Sequence, residues 1–186
     1  LTTMNQDGTV SPRLADSWEI SEESDSITYH LNQNATWHDG TPLTAEDVVY
    51  TCQLMSDADL NLARRTRMMY FAGTDDTGKE LSDNSIEVEA LDDYTVRFQL
   101  KEPMDTLTIF AIVNPDTFIL PKHLLEDIPE EELVSDEFWL HPIGAGPMIF
   151  DSMISGERVE LTSNEDFYLG APDFDRLIFR VVPAAN

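Results

Sequence analysis

Apolar and polar positions alternate in the first third of the chain. Trp18 and Ile20 are flanked by polar residues, and so are Ile27, Tyr29 and Leu31. A period of two marks a strand with one buried face. Residues 16–37 are therefore predicted to be β, with Glu22-Glu23-Ser24-Asp25 as a polar turn. His38-Asp39-Gly40-Thr41-Pro42 is a second turn, because Asp-Gly supports positive φ and proline fixes the exit. The period then becomes helical: Val48, Val49, Cys52 and Met55 share one face of a helix running to about Ser56. Thr44 is its N-cap, with Asp47 three residues on, and Glu46 and Asp47 sit at the positive end of the helix dipole. A shorter helix is expected over Leu60–Tyr70 and a loop over residues 73–85. Ile86, Val88 and Ala90, then Val96, Phe98 and Leu100, alternate with polar residues around Asp92-Asp93, the pattern of a hairpin with one buried face. Asp105 caps a short helix through Ile112 that Pro115 ends, and Phe118–Pro121 reads as a short extended run. Glu130–Leu140 reads as a helix with Leu133, Val134, Phe138 and Trp139 on one side.

After His141-Pro142 the character changes. Gly144, Gly146 and Pro147 make a tight, irregular passage. Two strands follow, Met148–Ile154 and Arg158–Thr162, joined at Ser155-Gly156. A last apolar strand is expected over Leu177–Val182 with Ile178, Val181 and Val182 inside it. A strand of that composition normally has partners on both sides and a covering layer, so this part reads as the beginning of a larger domain. The whole pattern is α+β, or mixed α/β, with a division at 141/142 into segments 1–141 and 142–186.

Charge changes the picture of the surface. The chain has 36 acidic and 11 basic residues among 186, a formal net charge of −25. Such a surface repels phosphate backbones and anionic headgroups, which argues against nucleic-acid and membrane-surface binding. The acids are spread among three Trp and nine Phe, unlike a disordered acidic tail. A folded domain with an acidic surface is expected, of the kind suited to hypersaline surroundings where counterions screen self-repulsion. No run of 18 apolar residues is present. The chain opens at Leu1-Thr2-Thr3 without an initiator Met, which reads as a piece of a longer protein.

Candidate chemistry is sparse. Cys52 is the one cysteine, so there is no internal disulfide, and its place on an apolar helix face fits a core residue better than a nucleophile. His30, His38, His123 and His141 fall in different elements without metal-ligand spacing. With this many acids, carboxylate pairs arise by chance and do not define a hydrolase. The Asp75–Glu80 loop lacks the alternating ligands of a calcium loop, and Gly144-Ala145-Gly146-Pro147 lacks the Lys-Ser or Lys-Thr of a phosphate loop. Arg64, Arg65 and Arg67 form the one cationic cluster, read as a solvated helix face or as a carboxylate or partner contact. Met68-Met69-Tyr70-Phe71 is an apolar, aromatic patch that is either core or the lining of a cleft. No catalytic constellation, metal site or cofactor site is expected.

The order of motifs is more specific than any one of them. Gly8-Thr9-Val10-Ser11-Pro12-Arg13-Leu14-Ala15-Asp16-Ser17-Trp18 resembles the opening of the family 5 extracellular solute-binding proteins. Ala35-Thr36-Trp37-His38-Asp39-Gly40-Thr41-Pro42-Leu43-Thr44-Ala45-Glu46-Asp47-Val48 is similar to the family's most recognisable block. Leu91–Phe98, Pro142–Met148, Asn164–Gly170 and Phe179–Pro183 follow in the family's order, with Ala145 and Met148 standing where Thr and Tyr are usual. The resemblance implies a type II periplasmic-binding-protein-like fold. Residues 1–141 would be the accessory subdomain of the first lobe, 142–186 the beginning of the main first lobe, and the second lobe would be absent. It also implies a cell-surface lipoprotein, anchored to the membrane, that delivers peptides or similar small solutes to the permease of an ABC importer without catalysis or cofactor. Trp18, Trp37, Asp39, Gly40, Thr44 and Asp47 are then structural: two buried aromatic anchors, a turn and a helix cap. By position along the chain and cleft logic, Met69, Tyr70, Phe110 and Gly146 are the expected ligand neighbours. Apolar surface left by truncation would favour dimers. A regulatory domain on the same fold, or a carboxylate-dependent hydrolase, are the competing readings.

Overall fold

The computed structural model describes residues 1–57, 60, 65–82, 85–113 and 118–182. The chain forms two units: Leu1–Gln33 with Thr44–Glu130, and Asn34–Leu43 with Glu131–Asn186. This differs from the expected boundary at 141/142. The segment 34–43 groups with the C-terminal part because its turn bonds to the Gly144–Gly146 passage, as described below.

The first unit opens with a small ribbon of β1 (Thr2–Met4) and β2 (Val10–Pro12). Its main sheet contains β3 (Ala15–Ile20), β4 (Ser26–Leu31), β5 (Val88–Asp92) and β6 (Thr95–Gln99) in the order β3-β4-β6-β5, all antiparallel. The alternation read from sequence holds in β4, where Ile27, Tyr29 and Leu31 are buried, and in the hairpin, where Val88, Val96 and Phe98 are; Trp18 and Ile20 of β3 are only half-buried, so Trp18 is not the fully buried anchor expected. Helix α1 (Ala45–Ser56) packs on β5 and β6 and adds Val48, Cys52 and Met55 to the core. Helix α2 (Thr106–Val113) adds Ile109, Phe110, Ile112 and Val113, and α3 (Lys122–Leu125) adds Leu125. Between α1, α2 and the sheet remains a void of about 10 Å³, bounded by Val48, Cys52, Met68, Phe71, Phe98 and Ile112. That is no more than room for one water, so this core is closed to a solute.

The second unit holds an antiparallel sheet of β7 (Met148–Ile154), β8 (Arg158–Ser163) and β9 (Arg176–Arg180), in that order. The turn between β7 and β8 contains Gly156 at positive φ, as Ser155-Gly156 predicts. Trp37 and Leu43, brought in by the 34–43 segment, are buried, with a bridge between Thr36 and Pro42.

Three expectations differ from the structure. Glu130–Leu140 is not one helix. Short helix α4 (Glu130–Leu133) stops, and a 3₁₀ turn follows over Glu137–Leu140. Asp136 is extended between them, and its carboxylate accepts the Phe138 N–H, so a side-chain cap has replaced helix continuation. Leu133 is buried, but Val134 and Trp139 are exposed. The Leu60–Tyr70 helix is a 3₁₀ turn over Arg65–Tyr70; residues 61–64 lie outside the described ones, as does Pro115. The last strand, β9, ends at Arg180, short of the expected Val182; among the described residues it pairs only with β8 and leaves Ile178, Val181 and Val182 exposed, as expected of a strand without its second partner and covering layer. The ribbon β1–β2 was not expected.

Candidate functional site

In the first unit, the candidate ligand neighbours Met69 and Tyr70 lie on the 3₁₀ turn Arg65–Tyr70 and are half-buried. Met68 and Phe71 on either side are buried, and Phe71 packs on Phe98 with ring centroids 5.7 Å apart. The sequence patch thus splits into two anchors and two residues with free surface. Its backbone is tied down. Lys101 N–H donates to the Tyr70 carbonyl (3.1 Å), Ala72 N–H to that of Gln99 (3.0 Å) and Glu87 N–H to that of Ala72 (2.9 Å). The buried Thr74 hydroxyl reaches the carbonyls of Met68 and Phe71, each at 2.8 Å. Gly78, at φ +80°, supports the turn from below: a Cβ there would lie 1.9 Å from the Arg65 carbonyl oxygen. Only glycine fits such an approach.

Phe110 is placed differently. It is 3% exposed and meets Trp18 edge to face at 5.3 Å. Little of its ring remains for a solute, and its position fits a support beneath Trp18. Thr44 and Asp47 cap α1 as expected: the Asp47 carboxylate accepts the Thr44 N–H at 2.9 Å. Its other oxygen accepts the Lys122 N–H, also at 2.9 Å, and Thr51 Oγ1 accepts the Leu120 N–H. Helix α1 therefore fixes residues 120–122 through two polar side chains, a role that spacing in the sequence does not reveal.

Gly146 belongs to the second unit. Asp39 and Gly40 form the expected turn there: Asp39 Oδ1 accepts the Thr41 N–H (2.9 Å), Trp37 N–H donates to the Thr41 carbonyl (2.8 Å), and Gly40 has φ +87°. The turn presents His38 to the Gly144 passage. His38 N–H donates to the Gly144 carbonyl at 2.8 Å, Gly144 N–H donates to His38 Nδ1 at 3.3 Å, and His38 Nε2 lies 3.0 Å from the Gly146 carbonyl oxygen. The buried Asn164 amide donates to that same oxygen at 3.1 Å, while its N–H donates to the Pro147 carbonyl. Asn164 was not singled out in the sequence; its one signal was its place at the head of the Asn164–Gly170 motif.

The remaining candidates are held apart. His30 lies beside Glu19 on the sheet, and His141 meets the Phe150 ring at 5.8 Å. Among the described residues, no group of three or more His, Cys, Asp and Glu is placed to hold a metal ion. Burial pushes the Cys52 thiol up to about 12, which leaves it unreactive at neutral pH. Arg65 and Arg67 reach backbone carbonyls, of Asp57 (3.4 Å) and of Ala111 (3.5 Å), rather than forming a free cationic face; Arg64 lies outside the described residues. In the 75–80 loop, Asp75 is turned inward. Hydrogen bonds from the Thr77 hydroxyl and N–H hold its carboxyl below the usual range. Among the described residues, no helix is long and apolar enough to cross a membrane.

The architecture is that of part of a type II periplasmic binding protein. Residues 9–186 match the family described as bacterial extracellular solute-binding proteins, family 5, and the chain belongs to that family. The oligopeptide-binding protein AppA of Bacillus subtilis is 31% identical over 189 residues, covering 100% of this chain and 32% of its own length. The structure of that protein in complex with a nonapeptide superimposes with a TM-score of 0.81 at 28% identity, over 98% of this chain and 33% of the other. NikZ of Campylobacter jejuni, in complex with Ni(L-His), gives a TM-score of 0.72 at 28% identity, over 98% of this chain and 33% of the other. The chain spans 28% to 34% of the length of the curated relatives it matches.

Proposed function

We propose that this chain is part of the substrate-binding receptor of an ABC importer, which captures peptides or similar small solutes outside the cell and passes them to a membrane permease. The observation that carries this reading is family membership across nearly the whole chain, with relatives named for oligopeptide binding. The chemistry agrees with binding rather than turnover. Met69 and Tyr70 offer a half-exposed thioether and phenol on a pinned backbone, suited to non-covalent contact with varied side chains. Capture follows a two-lobe scheme: solute contacts on both lobes favour the closed form, and the permease selects that form. In this scheme residues 1–141 serve as the accessory subdomain and 142–186 begin the main first lobe. Met69, Tyr70 and the Gly146 turn are the solute neighbours, and Phe110 acts through Trp18. A lipid anchor outside these residues would keep the receptor at the cell surface. The net charge of −25 is matched to a saline exterior.

The test is isothermal titration of short peptides of graded length into the 186-residue chain and into a longer receptor chain containing it. The longer chain is expected to bind at least about tenfold more tightly, equivalent to about 1.4 kcal/mol. Equal affinity of the two would overturn the two-lobe account.

A further inference from the structure

The least expected contact in the second unit is the double engagement of one imidazole with one glycine-rich turn. Gly144 N–H points at His38 Nδ1, so that nitrogen must carry a lone pair. Nε2 faces the Gly146 carbonyl oxygen, which can only accept, so that nitrogen must carry the proton. Both demands are met by a single species, the neutral ring protonated on Nε2. The imidazolium would set an N–H against the Gly144 N–H, and the other neutral tautomer would fail at both ends.

The consequence reaches the turn itself. The Gly146 carbonyl receives His38 and the buried Asn164 amide together, which uses both of its lone pairs. Among the described residues, neither Ala145 N–H nor Gly146 N–H has a hydrogen-bond partner. Among the described residues the turn thus leaves the Ala145 and Gly146 N–H groups and the Ala145 carbonyl without a partner, while the Gly144, Gly146 and Pro147 carbonyls are occupied. The matching group on a solute is a carbonyl oxygen, such as that of a peptide bond. The charged residues adjoining these contacts are Asp39, whose carboxylate accepts the Thr41 N–H on the His38 turn, and Glu165 and Asp166, next to Asn164. The turn 144–147 carries no titratable side chain.

We infer that His38, as the neutral Nε2–H tautomer, is a positioning residue that fixes the Gly144–Pro147 turn and leaves its Ala145 and Gly146 N–H groups available to a solute carbonyl. The part concerning the solute rests on the reading of this turn as a cleft neighbour. The part concerning the ring and the turn is independent of it.

The decisive measurement is nuclear magnetic resonance of the isotopically labelled chain. In the unsubstituted chain at about pH 8, His38 should show a pyrrole-type Nε2 and a pyridine-type Nδ1. Gly144 amide exchange should be protected there. His38→Asn keeps an acceptor where Nδ1 stood and should hold Gly144 protection. His38→Gln keeps a donor toward Gly146 but no acceptor for Gly144, and His38→Phe keeps neither; both should lose Gly144 protection on the order of tenfold, the equivalent of one hydrogen bond. An Nδ1–H tautomer in the unsubstituted chain, or equal Gly144 protection in it and in His38→Phe, would overturn the inference, and the first of these needs no variant that might misfold. Trialanine titrated into a longer receptor chain supplies the second arm, with His38→Phe expected to weaken binding about tenfold, the equivalent of one hydrogen bond. If trialanine fails to bind the unsubstituted receptor while the ring pattern and protection are as described, the positioning role is supported and the receptor reading alone is lost.

Discussion

The two sheets are built from strands of similar length and the same antiparallel pairing, yet they bury their residues to different degrees. In the first unit every second residue of β4 is buried, with Tyr29 and Ile27 at 0% exposure. In the second, no residue of β7, β8 or β9 is fully buried, and Phe179 is 57% exposed. The polar chemistry differs in the same sense. The first unit ties its loops with single side chains inserted beneath backbone, such as Asp47, Thr74 and Ser85. The second holds its sheet with a surface network in which Arg158 and Arg176 share Glu160, and these arginines hold the Glu160 carboxyl below its usual range, Arg158 most strongly. Stability drawn from buried area tolerates salt and acid. Stability drawn from exposed ion pairs is modest and is screened.

Truncating the first core should have the largest effect. Phe98→Ala removes a ring that contacts both Tyr29 and Phe71 and should cost about 3–5 kcal/mol in denaturant unfolding. Phe179→Ala on β9 should stay within about 0.5 kcal/mol. Similar losses at the two positions would mean that the second sheet is covered in solution, for instance by a second copy of the chain, which sedimentation would detect.

Asp47→Ala is next. It leaves the Thr44 and Lys122 N–H groups without their acceptor and should cost about 2–3 kcal/mol. The loss should appear in the first unit's transition and spare the second's. Salt separates the units less sharply: raising KCl from dilute buffer to about 1 M shrinks the screening length to about 3 Å and should raise the melting temperature steeply, since a net −25 repels itself. A flat response would remove the saline reading.

Acid should have the smallest effect, with a definite sign. Asp75 and Asp105 have folded-state pKa values lowered first by the hydroxyls of Thr77 and Thr108, and Asp92 first by the Tyr94 N–H. Depressed carboxyls stabilise the fold above the unfolded value of about 3.9 and lose that contribution as pH falls through the folded values. Below about pH 4, Asp105→Asn should therefore narrow the gap to the unsubstituted chain, and above it the variant should be slightly less stable.

Much of the first unit was legible because its signals are local. The alternation at Ile27, Tyr29 and Leu31 and the cap at Thr44 and Asp47 each need only a few neighbouring residues to declare themselves. The ribbon β1–β2 escaped because three-residue strands are too short to show a period. The break at Asp136 escaped because an acid in a run of acids looks like one more helix surface position. The site was legible only in part. Met69 and Tyr70 keep free surface, but Phe110 is equally apolar in sequence, and only packing against Trp18 distinguishes it. The reach of Asp47 to Lys122 spans 75 positions, and that of His38 to Gly146 spans 108; no spacing rule covers such distances.

The path of residues 34–43 has a consequence for how such proteins can be recombined. Because this excursion leaves one unit and returns to it, neither unit is a contiguous stretch of gene. A splice that replaced everything after residue 130 with a homologue's segment would set a foreign glycine turn against the resident histidine loop. Modular exchange, in evolution or in the laboratory, has to transplant two separated stretches together or repair the mismatch afterwards.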